Sequence, residues 1–148
     1  MPNAILWDTA VASEGTVLTT ELNSLADGAW SALGSEFTNN TVLKQYFKVR
    51  VAIDFVSAPA TGAFVSLYAC TALDGTNYET IDSDNDPRAD KLVAVIQLID
   101  TTAAQVRDSG IFTLAPAKTK FILKNSSGQA CPASGSTVTL YSFADEVQ

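Results

Sequence analysis

The chain has 148 residues, 47% hydrophobic, 17% charged and 9% aromatic, which describes one compact domain long enough to fold without a disulfide framework or a structural metal. Histidine is absent, so Ser-His-Asp and Cys-His nucleophilic sites, histidine-bearing zinc proteases and zinc fingers cannot be assembled. Nine Lys plus Arg against sixteen Asp plus Glu leave a net charge of −7, a field that repels phosphate backbones and anionic lipid and disfavours nucleic acid and membranes as partners.

From Met1 to Asp8 there is neither a basic n-region nor an apolar h-region, and no later run approaches a membrane span. The expectation is a protein made in a cytoplasm and kept there or released by lysis. Ala4 to Val11 and Gly15 to Thr19 read as strands, Glu21 to Ala26 as a single helical turn or irregular crossing, and Gly28 to Leu33 as a small-residue strand around Trp30. Residues 1–43 hold no Lys or Arg but carry Asp8, Glu14, Glu21, Asp27 and Glu36. If these form one surface it suits a basic partner; otherwise they are an ordinary solubilising excess.

Residues 45–56 carry the clearest signal: Phe47, Val49, Val51, Ile53 and Phe55 alternate with Lys48, Arg50, Ala52 and Asp54, the pattern of a strand with one face in a core and one in water. Ser57 to Gly62 breaks it with Pro59 and a glycine, a turn. Ala63 to Ala72 follows as a strand apolar on both parities, hence partly covered on both faces. Asp74-Gly75 opens a second turn, and 82–90 reads as an exposed, Pro-interrupted loop. Lys91 to Asp100 is β-branched and apolar on both parities, which predicts a central strand. Strands near Gln105 to Leu114, Thr119 to Asn125 with Phe121 and Leu123 inward, and Thr137 to Phe143 closing the sheet complete the chain. Eight or nine short strands with little helix predict an all-β antiparallel sandwich, with a closed barrel as the alternative.

Chemistry-bearing clusters are few. Cys70 and Cys131 lack C-x-x-C spacing and read as reduced thiols in or near the core, with a disulfide between them as the alternative that nothing in the sequence requires. Asp82, Asp84 and Asp86 stand at i, i+2, i+4, a spacing that would aim carboxylates at calcium. However, Pro87 stands where an EF-hand loop needs glycine and Val93 where it needs a bidentate glutamate, so a solvated acidic loop is the competing reading. Glu79 with Asp82 is a carboxylate pair without a fixed separation, such as any acidic protein offers. Most aromatics follow the strand pattern and belong to the core; Tyr78, after Asp74-Gly-Thr-Asn77, sits in a loop where it would meet a partner. No phosphate loop, G-x-S-x-G elbow or basic aromatic stripe occurs, and no cofactor is expected.

Four stretches together, Val17 to Ser31, the strand 45–56, Leu67 to Tyr78 and Lys124 to Tyr141, resemble the small head decoration or cement proteins of tailed bacteriophages, notably of cyanophage type. The likeness is one of overall texture and order over nearly the whole chain. It implies a jelly-roll sandwich of about eight strands and no enzymatic activity. It also implies a homotrimer on the outer capsid surface of a virion assembled in a bacterial cytoplasm, clamping neighbouring major capsid subunits. On that expectation residues 1–20 are a docking arm, gripping the capsid or a neighbouring protomer through Ile5, Leu6 and Trp7, and 21–148 are the sandwich. The competing expectation is a carbohydrate-binding module of a phage fibre or surface appendage, with Tyr78 against the glycan.

Overall fold

The computed structural model describes residues 5–7, 11–79 and 89–147, with the backbone alone for 5–7, 41–42 and 145–147. Among these residues ten strands form: β1 (Ile5–Trp7), β2 (Ala12–Leu18), β3 (Phe37–Thr38), β4 (Tyr46–Ile53), β5 (Phe64–Ala72), β6 (Leu92–Gln97), β7 (Gln105–Asp108), β8 (Lys118–Ser126), β9 (Thr137–Phe143) and β10 (Asp145–Val147). Helix among the described residues amounts to one turn, α1 (Asn39–Val42), and two 3-10 turns, Thr20–Leu22 and Ala89–Lys91. Eight strands make two four-stranded antiparallel sheets in the orders β2-β9-β4-β7 and β3-β8-β5-β6, while β1 pairs with β10. From β2 to β9 each strand thus crosses to the other sheet except at the β5–β6 hairpin, which stays within one sheet; this is the two-Greek-key connectivity of a jelly roll. Two separate open sheets, rather than a closed barrel, enclose the core.

Alternation builds that core. Phe47, Val49, Val51 and Ile53 point inward from β4, and Val65, Leu67 and Ala69 answer from β5, with Phe121 and Leu123 from β8. Phe37 of one sheet meets Phe47 of the other edge to face, 5.6 Å between ring centres. Phe47 also exchanges both backbone hydrogen bonds with Phe112, so the β7–β8 connection is tied to the same point.

Three expectations change. The run from Lys91 is an edge strand, not a central one: β6 pairs with β5 alone, and its second apolar row is exposed, Val95 at 55%. Apolar residues on both parities therefore mark an exposed outer face here, not two-sided burial. The segment 137–143 does not close its sheet but lies inside it, between β2 and β4. Residues 28–34 follow the free edge of β8 through Gly28 N to Asn125 O, Ser31 N to Leu123 O and Gly34 N to Phe121 O, yet only Trp30 and Lys124 form a regular bridge. Of residues 1–20, 12–18 are the edge strand β2, with Val17 and Leu18 in the core.

Candidate functional site

Asp82, Asp84 and Asp86 lie outside the described residues, as do the side chains of Ile5, Leu6 and Trp7, whose backbone is β1. Among the described residues no three metal-ligating side chains gather. Cys70 and Cys131 are free and buried, and burial pushes both thiols up, Cys131 to about 11. Glu79 pairs with Lys91 at 3.0 Å. Tyr78 is half-buried and belongs to a larger construction.

That construction is the outer face of the β3-β8-β5-β6 sheet. Strand β8 turns Phe121 and Leu123 inward, which leaves Lys118, Lys120, Ile122 and Lys124 on the outer side. The 28–34 segment, held to the edge of β8, carries Trp30 over this face. Its ring meets Tyr68 edge-on at 4.9 Å, and Lys124 Nζ stands 4.7 Å from its centre. One step along, Lys120 Nζ is 4.9 Å over the Tyr78 ring. Tyr78 donates its hydroxyl to Glu36 at 2.5 Å, and Glu36 takes Lys118 at 3.3 Å. Burial, then the Glu36 carboxylate, pushes the Tyr78 phenol up to about 12, while the Tyr78 hydrogen bond and Lys118 hold Glu36 below the usual carboxylate range.

The other side of this face is apolar. Register sets Tyr68 opposite Leu92 and Ser66 opposite Val95, with Phe64 diagonal to Val95. Leu92, Val95 and Phe64 are 42%, 55% and 39% exposed. An exposed apolar row flanked by ring-stacked lysines has the make-up of a protein-recognition surface, aromatic and aliphatic anchors beside a charged rim.

A second surface has the opposite charge. At one end of the sandwich the loops 19–28, 54–63, 98–104 and 127–136 come together. Ser24 N donates to Pro132 O, Cys131 N to Leu25 O, Gly128 N to the Asp27 carboxylate, Ala60 N to Ser127 O, and the Thr61 hydroxyl to Asp100. These loops carry Glu21, Asp27, Asp54 and Asp100 and no Lys or Arg. Val56 and Ile99 stand exposed among them. The acidic third expected from residues 1–43 is thus divided: Glu21 and Asp27 join this end, Glu36 pairs with Lys118 on the sheet face, and Glu14 binds Ser142 on β9.

Hollows open on the described residues. One of about 500 Å³ is lined by Asp74, Asn77, Tyr78, Glu79 and Lys91, but Asp74 is spent on its own turn. Its carboxylate accepts from the Asn77 and Thr76 amides at 2.7 and 2.9 Å and from Asn77 Nδ2 at 2.7 Å, which holds it at about 2. Another, of about 290 Å³ on the opposite sheet, is lined by Lys48, Arg50, Asp108 and Tyr141, where Arg50 forms a two-pronged pair with Asp108 at 2.7 and 2.9 Å.

Sequence reading singled out Tyr78 but missed the lysines beside it. The signal present was the outward parity Lys118, Lys120, Lys124 on one strand. The shared acidity of four separate turns is visible only when the topology gathers them.

No protein-family model matches the chain, and no curated protein matches it. Among solved structures it is similar to the catalytic domain of a GH87 alpha-1,3-glucanase in complex with nigerose, at 19% identity and a TM-score of 0.32. It is similar also to an alanine variant of that domain in complex with tetrasaccharides, at 20% identity and a TM-score of 0.29. In both, the match covers 96% of this chain and 28% of the other.

Proposed function

We propose that the chain is a virion structural protein that binds the outer surface of a tailed-phage head as a homotrimer and steadies contacts between major capsid subunits. The sequence resemblance suggests the setting. The observation that carries a binding role, rather than a catalytic one, is the outer face of the β3-β8-β5-β6 sheet. There Phe64, Leu92 and Val95 stand exposed beside lysines already stacked on rings. A lattice-binding module works by many such modest contacts repeated in register.

The test adds purified chain to heads of the phage whose genome encodes it, prepared without the chain. Saturable binding at a fixed number of copies per head, with a rise in the heat resistance of the heads, is the expected result. Heads that take up none of it would overturn the reading.

A carbohydrate-binding module is the alternative. Stacking a pyranose needs a bare aromatic face, whereas Lys124 and Lys120 stand over Trp30 and Tyr78. Glycan-array binding abolished by Tyr78→Ala would favour the alternative despite that.

A further inference from the structure

We infer that copies of this chain associate through unlike patches, the lysine-bearing outer face of the β3-β8-β5-β6 sheet on one copy receiving the acidic loop end of the next. The inference rests on the homotrimer of the proposed function and names the contact that builds it.

The two patches complement one another in charge and in apolar content. The sheet face carries Lys118, Lys120 and Lys124, and Lys91 stands in the turn that leads into β6, in a chain of net charge −7. Lys91 and Lys118 already face carboxylates of their own molecule, Glu79, Asp90 and Glu36. Lys120 and Lys124 instead lie over aromatic rings, which fixes their ammonium groups in place without neutralising them. The loop end offers Asp54 and Asp100 together with Val56, which is 87% exposed, and Ile99. Apolar residues there match Phe64, Leu92 and Val95 on the face.

Both patches are pre-organised. The loop end is laced by the hydrogen bonds from Ser24, Ala60, Cys131 and Gly128, and the face is a hydrogen-bonded sheet, so little ordering opposes association. A contact between two different patches is heterologous, and repeated about an axis it closes into a ring in which each copy uses both of its surfaces.

Sedimentation of the purified chain over a wide concentration range, at low and high salt, tests this. The expected result is a trimer that dissociates as salt is raised. Lys120→Glu with Lys124→Glu lowers the association constant about tenfold or more, and so does Asp54→Lys with Asp100→Lys. All four substitutions in one chain exchange the signs of both patches and restore association. Circular dichroism of each variant separates loss of contact from loss of fold.

A wild-type chain that stays monomeric throughout overturns the proposal, and so does a four-fold variant no better than either pair. Binding to phage heads is read separately. A chain that assembles as expected but binds no head leaves the contact standing and removes the decoration role. A monomer whose head binding is lost on Lys120→Glu with Lys124→Glu gives the face to the capsid and overturns the self-contact.

Discussion

Lys124 holds its ammonium 4.7 Å from the centre of the Trp30 ring, and the same ring meets Tyr68 edge-on at 4.9 Å. The indole is therefore fixed from two directions on a face that would otherwise expose it. Trp30→Ala should lower unfolding free energy by about 2 kcal/mol, through lost apolar contact and the lost ring pair. Lys124→Ala alone should cost less than about 1 kcal/mol. A double-mutant cycle by urea unfolding should return a coupling of about 0.5 to 1 kcal/mol, and additive losses would show that the stacked lysine contributes no energy there.

Asn125 is fully buried and joins the acidic loop end to β8. Its Nδ2 donates to Leu25 O, Ala26 O and Gln129 O at 3.0, 3.2 and 2.7 Å, and its Oδ1 accepts from Ser127 N. Asn125→Leu would leave the buried Ser127 N without an acceptor and take one donor each from Leu25 O, Ala26 O and Gln129 O, which keep Cys131 N, Ala29 N and Ser127 Oγ, so a loss of about 2 kcal/mol is expected. Hydrogen exchange should quicken at residues 25–28 and 127–131 before it does in β4. Equal acceleration everywhere would mean that the loop end does not depend on this side chain.

The strands that were plain in the sequence are those whose two faces differ. In β4 each inward Phe or Val is followed by a charged or small residue, and the burial follows that order without exception. In β6 parity misleads, because Leu92 and Val95 are apolar and exposed, and composition cannot tell a covered face from an open one. The jelly-roll order was similarly out of reach of local pattern: β9 looks like a last strand to be added at an edge, yet it pairs on both sides, with β2 and β4. Trp30 and Lys124 illustrate the same difficulty for the site. Neither residue is unusual in its own segment, and only the path of 28–34 along β8 brings them together.

Stability should fall in acid and again in alkali, for separate reasons. Asp74 is held at about 2 by hydrogen bonds from the Asn77 and Thr76 amides, against an ordinary 3.8, and Glu36 is lowered by Tyr78 and Lys118. A lowered carboxylate stabilises the fold above its unfolded pKa, so these contributions fade as pH drops below about 4 toward 2. Tyr78 is raised from 10.0 to about 12 by burial and by the Glu36 carboxylate. The neutral phenol is favoured in the fold, so its contribution is complete below pH 10 and is lost as pH rises toward 12. Urea midpoints measured across pH should show both limbs. Asp74→Asn should flatten the acid limb and Tyr78→Phe the alkaline one; a limb unchanged by its substitution would assign it to other groups.

Gly34 marks where the chain, crossing from β2 toward β3, passes closest to the strand it has left. A Cβ there would lie 2.0 Å from Val17 O and 2.7 Å from Leu18 Cδ2. The backbone cannot withdraw, because Gly34 N is bonded to Phe121 O on one side and Ser35 N to Val17 O on the other, both at 2.9 Å. Gly15 is the useful contrast: its φ of +107° disfavours a side chain, but a Cβ there meets nothing within 4 Å. Gly15→Ala should therefore cost only the conformational strain, about 1 kcal/mol. Gly34→Ala should cost about 3 kcal/mol or more, since it must force apart a pair of hydrogen-bonded segments over the fully buried Leu18. Thermal and urea unfolding of the two variants would rank them, and a Gly34→Ala protein as stable as Gly15→Ala would mean that the crossing yields where the geometry says it is clamped.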